Sequence, residues 1–246
     1  MVNEFSRGAS YALGGLGQLT NPLLRPFVII PLLINFLLFA VVIWGAKELF
    51  AAWLDSMLSW LPDWLGFLDW LLWPIFIVTA LLMVFYTFTV VANLLGSPFN
   101  GLLSEKAERE VFRGAELPHT GPLWKEVLRA PWIEIRKLLY VVLWAIPLLL
   151  LFLIPGVNAF APLCWWAFGA WILALQYMDY PLSNHGISLS RQRTLLARHR
   201  PVVLGFGSAV LLMTLVPIVN FVVMPAAVIG ATRMWSELLR PRIDAE

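Results

Sequence analysis

Arg25 stands in the stretch Asn21-Pro22-Leu23-Leu24-Arg25-Pro26, where a guanidinium meets the start of a long apolar run. A helix beginning there has backbone N–H groups without intrahelical partners, and its dipole places partial positive charge at that end. Guanidinium and amide donors together suit a tetrahedral oxyanion. The competing reading is a flanking charge that fixes the helix end at a membrane surface. Arg233, at the end of the last apolar run, carries the same two readings. Six amide side chains lie inside apolar runs: Asn35, Asn93, Asn100, Asn158, Asn220 and Gln176. Each is costly against lipid, so each is expected to face another helix or water. They serve either as hydrogen-bonding glue or as the lining of a hydrophilic path.

Other chemistries find less support. No G-x-x-x-x-G-K-[ST] loop occurs, so the chain does not use ATP directly. His119, His185 and His199 stand singly in charged loops, without cysteine or paired-carboxylate spacing, and read as surface histidines with no metal site. Ser104 and Glu105 do not make a triad with His119 by sequence order, since geometry defines such a site. The single cysteine, Cys164, lies in an apolar run and excludes an intramolecular disulfide. The net charge of +2 offers no clustered basic face for nucleic acid. No enzyme, cofactor or metal is indicated.

The elements that position these residues belong to a membrane. The chain of 246 residues is 60% hydrophobic and only 13% charged, against about a quarter charged in soluble domains. Apolar stretches recur from residue 27 to residue 232, which leaves one membrane domain over 1–246. The run Pro26–Ala46 holds 21 residues, or roughly 30 Å of helix, one hydrocarbon core. No small-residue cleavage site follows it, so it is expected to be a retained anchor. A second span is expected over about 70–98, ending near Gly96-Ser97-Pro98. The third run, 138–178, is interrupted by the turn signal Pro155-Gly156 and reads as a helical hairpin. The fourth, 201–232, is interrupted at Pro217 and Asn220, leaving arms of about 15 residues, roughly 22 Å and too short to cross. Such arms fit a hairpin that penetrates the bilayer only partly. The tips repeat: Pro155-Gly156-Val157-Asn158 answers Pro217-Ile218-Val219-Asn220, and repeated broken helices often mark a transport route.

Charge placement orients the chain. The segment 47–69 has one Lys and four acids, whereas 105–137 has seven Lys or Arg and 179–200 has four Arg. The acidic segment is therefore expected outside, and the two basic ones in the cytoplasm. Trp53, Trp60, Trp64, Trp70 and Trp73 crowd the outer segment as an aromatic belt. The stretch 104–137 alternates acids and bases and reads as solvated cytoplasmic helices.

Three stretches carry a family resemblance: Asn21-Pro22-Leu23-Leu24-Arg25-Pro26-Phe27 through Asn35, Asn93-Leu94-Leu95-Gly96-Ser97-Pro98-Phe99-Asn100-Gly101 through Lys106, and Val216-Pro217-Ile218-Val219-Asn220-Phe221 through Thr232. With them the chain resembles the CysZ family of sulfate-uptake membrane proteins. The resemblance implies two long transmembrane helices with two partly penetrating hairpins, assembled as homo-oligomers in the bacterial inner membrane. It implies passage of sulfate, with sulfite and thiosulfate as related anions, into the cytoplasm for cysteine synthesis. Its partners are then sulfate, membrane lipid and further copies of the chain. A Gly-Leu-Arg-Arg-like element at the first span is associated with sulfate in this family. Here it reads Leu23-Leu24-Arg25-Pro26, which makes Leu23, Leu24 and Arg25 the expected sulfate site. The glycine and second arginine are absent, so a second donor has to come from backbone amides or another segment. Asn35, Asn93, Asn100, Asn158 and Asn220 are the expected path-lining residues. A channel-like route is favoured over proton coupling, since no carboxylate is evident inside a span. The rival class is a membrane scaffold or regulator that supports another transporter.

Overall fold

The computed structural model describes residues 2–58, 74–75, 77–79, 81–82, 99–112 and 123–241. The described residues are helices joined by short turns, with no strand among them. The protein is an all-α membrane protein. Helix α1 is Val2–Gln18 and α2 is Arg25–Leu58. A helical segment over 99–106 runs into a π-helical turn, Ala107–Val111. Then follow α3 (Leu123–Leu150), α4 (Ala161–Asn184), α5 (Leu189–Arg198), α6 (Arg200–Thr214) and α7 (Pro217–Met234). A second π-helical turn, Trp235–Leu239, continues α7.

Two compact units divide the chain, Met1–Val28 with Asn100–Glu246, and Ile29–Phe99. The second holds α2 from Ile29 onward, a helix that runs twelve residues past the expected end of the first span at Ala46. Pro31 lies inside it, and Leu33, Phe36, Leu37, Val41 and Trp44 are exposed, as lipid-facing side chains are. Of the expected span over 70–98, residues 74–75, 77–79 and 81–82 are helical, and the rest, with Asn93, lies outside the described residues.

The first unit is built around the pair α6–α7, packed between α1 and α4. Both hairpin tips fall where the prolines indicate. α3 gives way to a short 3-10 turn at Leu151–Leu153, and the chain reverses through Pro155-Gly156, with Gly156 at φ 83°. Only glycine enters that left-handed region without strain. α6 ends at Thr214, and α7 restarts with Pro217 in its first turn, where the missing N–H costs nothing. The two tips also share a bond: the Asn158 N–H donates to the Ile154 carbonyl at 3.0 Å, and the Asn220 N–H to the Val216 carbonyl at 2.9 Å. α3 is one helix from Leu123, so it spans the expected boundary at 137/138 without a break. Its lysines, arginines and glutamates are good helix formers, and polarity alone does not end a helix.

Helix α1, for which the sequence reading made no provision, is held by backbone contact. A Cβ on Gly8 would strike the Val202 carbonyl of α6, and one on Gly205 would strike the Phe5 carbonyl of α1. Gly15 and Gly230 play the same reciprocal part between α1 and α7, against Ala226 and Tyr11. Small residues let helices approach this closely where lipid gives no hydrophobic drive.

Three helical stretches among the described residues are long and apolar enough to cross a membrane: Ile135–Leu153, Asn158–Asn184 and Pro217–Leu239. They differ in surroundings. No residue of Ile135–Leu153 is buried, whereas most of Pro217–Leu239 is enclosed by the protein. A fourth apolar path, α5 with α6, is bent by 105° at His199.

Candidate functional site

The Asn21–Arg25 stretch is a tight turn organised by Asn21. Its Oδ1 accepts the Leu23 N–H at 3.1 Å, and its carbonyl accepts the N–H groups of Leu24 at 3.0 Å and Arg25 at 2.9 Å. The Asn21 amide in turn donates to Gln18 Oε1 at 3.2 Å. The backbone donors that an anion would seek at residues 23–25 are thus already engaged. Pro26 has no N–H to offer, and the Phe27 N–H donates to the Leu24 carbonyl at 3.0 Å. Leu24 is fully enclosed by the core, while Leu23 and Arg25 face outward. The remaining donor is the Arg25 guanidinium, which makes no ion pair among the described residues.

The amide side chains divide by surroundings. Asn100 is buried and donates to the Tyr180 hydroxyl at 3.3 Å, joining segment 99–106 to α4. Asn184 reinforces that seam by donating to the Gly101 carbonyl at 3.2 Å. Asn158 and Asn220 sit exposed at the two hairpin tips, Asn158 opening the 3-10 turn Asn158–Phe160 that leads into α4 and Asn220 in the first turn of α7. Asn35 lies within α2.

A buried ionic cluster is the feature that sequence reading missed. Glu108 sits in the π-helical turn and is fully buried. Its Oε1 is 2.9 Å from His185 Nε2, just beyond the end of α4, and 3.5 Å from Arg240 Nη1. His185 is a surface histidine by sequence, yet its side chain is only 11% exposed here. Its ring also packs on Trp235 at 5.3 Å between centroids. Glu108 Oε2 and Trp235 Nε1 are buried without a partner among the described residues. One signal was readable. Glu105–Arg109 and Lys106–Glu110 form exposed i,i+4 pairs at 2.9 and 3.1 Å, which leaves Glu108 on the face of Leu103, Ser104 and Ala107. That face is buried, and Ser104 meets Thr232 of α7 through a 2.8 Å hydroxyl contact.

A second polar seam binds α3, α4 and α5. Lys137 pairs with Asp179 at 2.6 Å, and Gln192 donates to Asp179 Oδ1 at 2.8 Å and to the Ile187 carbonyl at 3.0 Å. Arg193 lies over the Tyr140 ring at 4.5 Å, and Trp171 donates to the Tyr140 hydroxyl at 3.1 Å. Arg233, an anion candidate by sequence, is paired with Glu237 at 2.9 Å. No group of three or more metal-ligating side chains occurs among the described residues.

Helical hairpins with apolar tips, close-packed on a small-residue helix and closed by buried ion pairs, define a multi-helix membrane protein. Over residues 11–225 the chain matches the family described as Sulfate transporter CysZ/Etoposide-induced protein 2.4, and it belongs to that family. It is 44% identical over 232 residues to a protein of Pseudomonas paraeruginosa named "Sulfate transporter CysZ", covering 93% of this chain and 94% of that one. A protein of the same name from Pectobacterium atrosepticum is 41% identical over 236 residues, covering 95% of this chain and 86% of the other.

Proposed function

We propose that this protein carries sulfate into the bacterial cytoplasm across the inner membrane, through a channel-like path without ATP hydrolysis, and so supplies cysteine synthesis. The observation that carries this reading is likeness over nearly the whole chain to relatives named for sulfate transport. The architecture supports it. The second hairpin, with its short arm α6 and exposed apolar tip, enters the bilayer to about its middle, and exposed Asn158 and Asn220 at the two hairpin tips give the anion or a second copy of the chain polar groups within the membrane. Arg25 is the anion's first contact. Asn21 holds its turn in shape, Leu24 pins the turn to the core and Leu23 shields the outer side, so the guanidinium meets sulfate in place of the occupied amides. Sulfite and thiosulfate present similar oxygens to the same group.

The test is radiolabelled sulfate uptake into liposomes containing only this protein, with Arg25→Ala alongside. Uptake is expected from the unaltered protein. The variant should show about fivefold weaker concentration dependence, since one exposed charged contact is worth about 1 kcal/mol. Equal uptake by both would remove Arg25 from the path. No uptake from folded protein would instead favour a scaffold or regulator of another transporter.

A further inference from the structure

The short helix α5 joins the two hairpins and meets α6 at 105°. If α6 runs along the membrane normal, α5 lies close to the membrane plane. Its depth follows from α6, whose 15 residues rise about 22 Å. The far end of α6 is apolar and exposed through Leu212, Leu215 and Val216, continued by Ile218 and Phe221. With that tip at the bilayer middle, about 15 Å of hydrocarbon and then about 5–8 Å of headgroup layer lie above it. Arg200, at the near end of α6, falls at headgroup depth, and α5 with it.

Charge points to the same place. Between Asp179 and Glu237 the sequence has five arginines and no Asp or Glu, and four of the five are Arg191, Arg193, Arg198 and Arg200. Arg193 is held over Tyr140, while Arg191, Arg198 and Arg200 are exposed. The helix is fixed in its rotation: Gln192 and Leu196 are buried, and Gln192 is tied to Asp179, Ser183 and Ile187. The arginines therefore project from a rigid mount. Guanidinium groups grip phosphate oxygens well, and a basic surface at this depth meets the headgroups of anionic lipids.

We infer that α5 and Arg200 form a docking surface for anionic phospholipid headgroups, with Arg191 and Arg200 holding the phosphates and Arg198 adding its charge to the basic surface. The inference rests on the half-way insertion of the second hairpin proposed above. The full chain, with Cys164→Ser, is labelled with a fluorophore either at Thr194→Cys on α5 or at Ile218→Cys on the tip. It is then reconstituted in phosphatidylcholine vesicles doped with nitroxide-bearing phosphatidylglycerol or phosphatidylcholine. The nitroxide sits near the headgroup or near the bilayer middle. The α5 label should be quenched from headgroup depth, with about fivefold preference for the phosphatidylglycerol probe, the factor for one arginine at an anionic surface. That preference should vanish in Arg191→Gln/Arg198→Gln/Arg200→Gln and survive in the matching triple lysine variant. A preference retained in the glutamine variant, or abolished by excess inorganic phosphate, would overturn the lipid assignment. Quenching of the tip label from the bilayer middle without quenching of the α5 label would overturn it while leaving the insertion depth intact. A tip label untouched at the bilayer middle would overturn both.

Discussion

Glu108 shows how a single position can organise a helical membrane body. Its carboxylate is fully buried and accepts from the His185 ring and the Arg240 guanidinium, drawn from distant parts of the sequence. Removing one member of a buried ion pair costs about 3–5 kcal/mol, because the other charge stays behind without its partner. Glu108→Ala is therefore expected to lower the apparent unfolding temperature in detergent by about 6–20 °C, on the scale of about 2–4 °C per kcal/mol for a chain this size. Glu108→Gln keeps a carbonyl oxygen for His185 and Arg240 and should fall between the two. Thermal unfolding followed by circular dichroism ranks the three, and equal stability of the alanine and glutamate forms would show the cluster to be energetically idle. Arg25 answers to a different logic, because it is exposed and its loss should touch sulfate handling far more than folding. The sequence distinguishes these cases only in part. Arg25 announces itself by standing at the edge of an apolar run. Glu108 stands among Glu105, Lys106, Arg109 and Glu110, a charged stretch that looks solvated in composition, and only the i,i+4 register of its pairs leaves Glu108 on the apolar face.

The helix α1 is held to α6 and α7 by glycines, and this sets a test at the level of the element. Gly15→Ala would drive its Cβ into the Ala226 carbonyl of α7, a backbone atom that cannot swing aside. Overpacking of this kind costs about 1–3 kcal/mol. Gly17 lies two residues further along the same helix with open space around its Cβ position. Gly17→Ala should gain about 0.5–1 kcal/mol through helix propensity. Opposite signs for two identical substitutions, read as detergent-unfolding temperatures, would confirm that α1 is seated by close approach; a loss in both would point to general intolerance of α1. The spacing Gly8, Ala12, Gly15 carries this in the sequence, but α1 is too polar to register as a membrane span. The hairpins were far easier to read. Proline fixes φ and removes a donor wherever it stands, so Pro155 and Pro217 mark both reversals to within a few residues. The continuity of α3 across 137/138 was not legible, because Arg136 and Lys137 mark a change in surroundings and not a change in backbone conformation.

For the whole molecule, the decisive quantity is the work of moving a dianion against the membrane potential. Each elementary charge costs about 2.3 kcal/mol per 100 mV, so sulfate faces roughly 4.6 kcal/mol on entering a cell that is negative inside by that amount. A passive path then comes to equilibrium with internal sulfate about three orders of magnitude below external sulfate. Net uptake through such a path requires prompt consumption of sulfate inside, the part that the proposed function gives to cysteine synthesis. This fixes the sign of the voltage response. In liposomes holding a potassium gradient and valinomycin, an inside-positive potential should raise sulfate accumulation by the unaltered protein, and an inside-negative one should suppress it. The ratio between the two should grow with the square of the single-charge Boltzmann factor, because two negative charges move together. Coupling to two protons would make transport electroneutral, and accumulation would then follow the pH gradient and ignore the potential. Buried Glu108 and half-buried Asp179 are already bound to His185, Arg240, Lys137 and Gln192, an arrangement suited to holding helices together. A voltage response of the expected sign and steepness would leave them that structural role and make the path a conductive one.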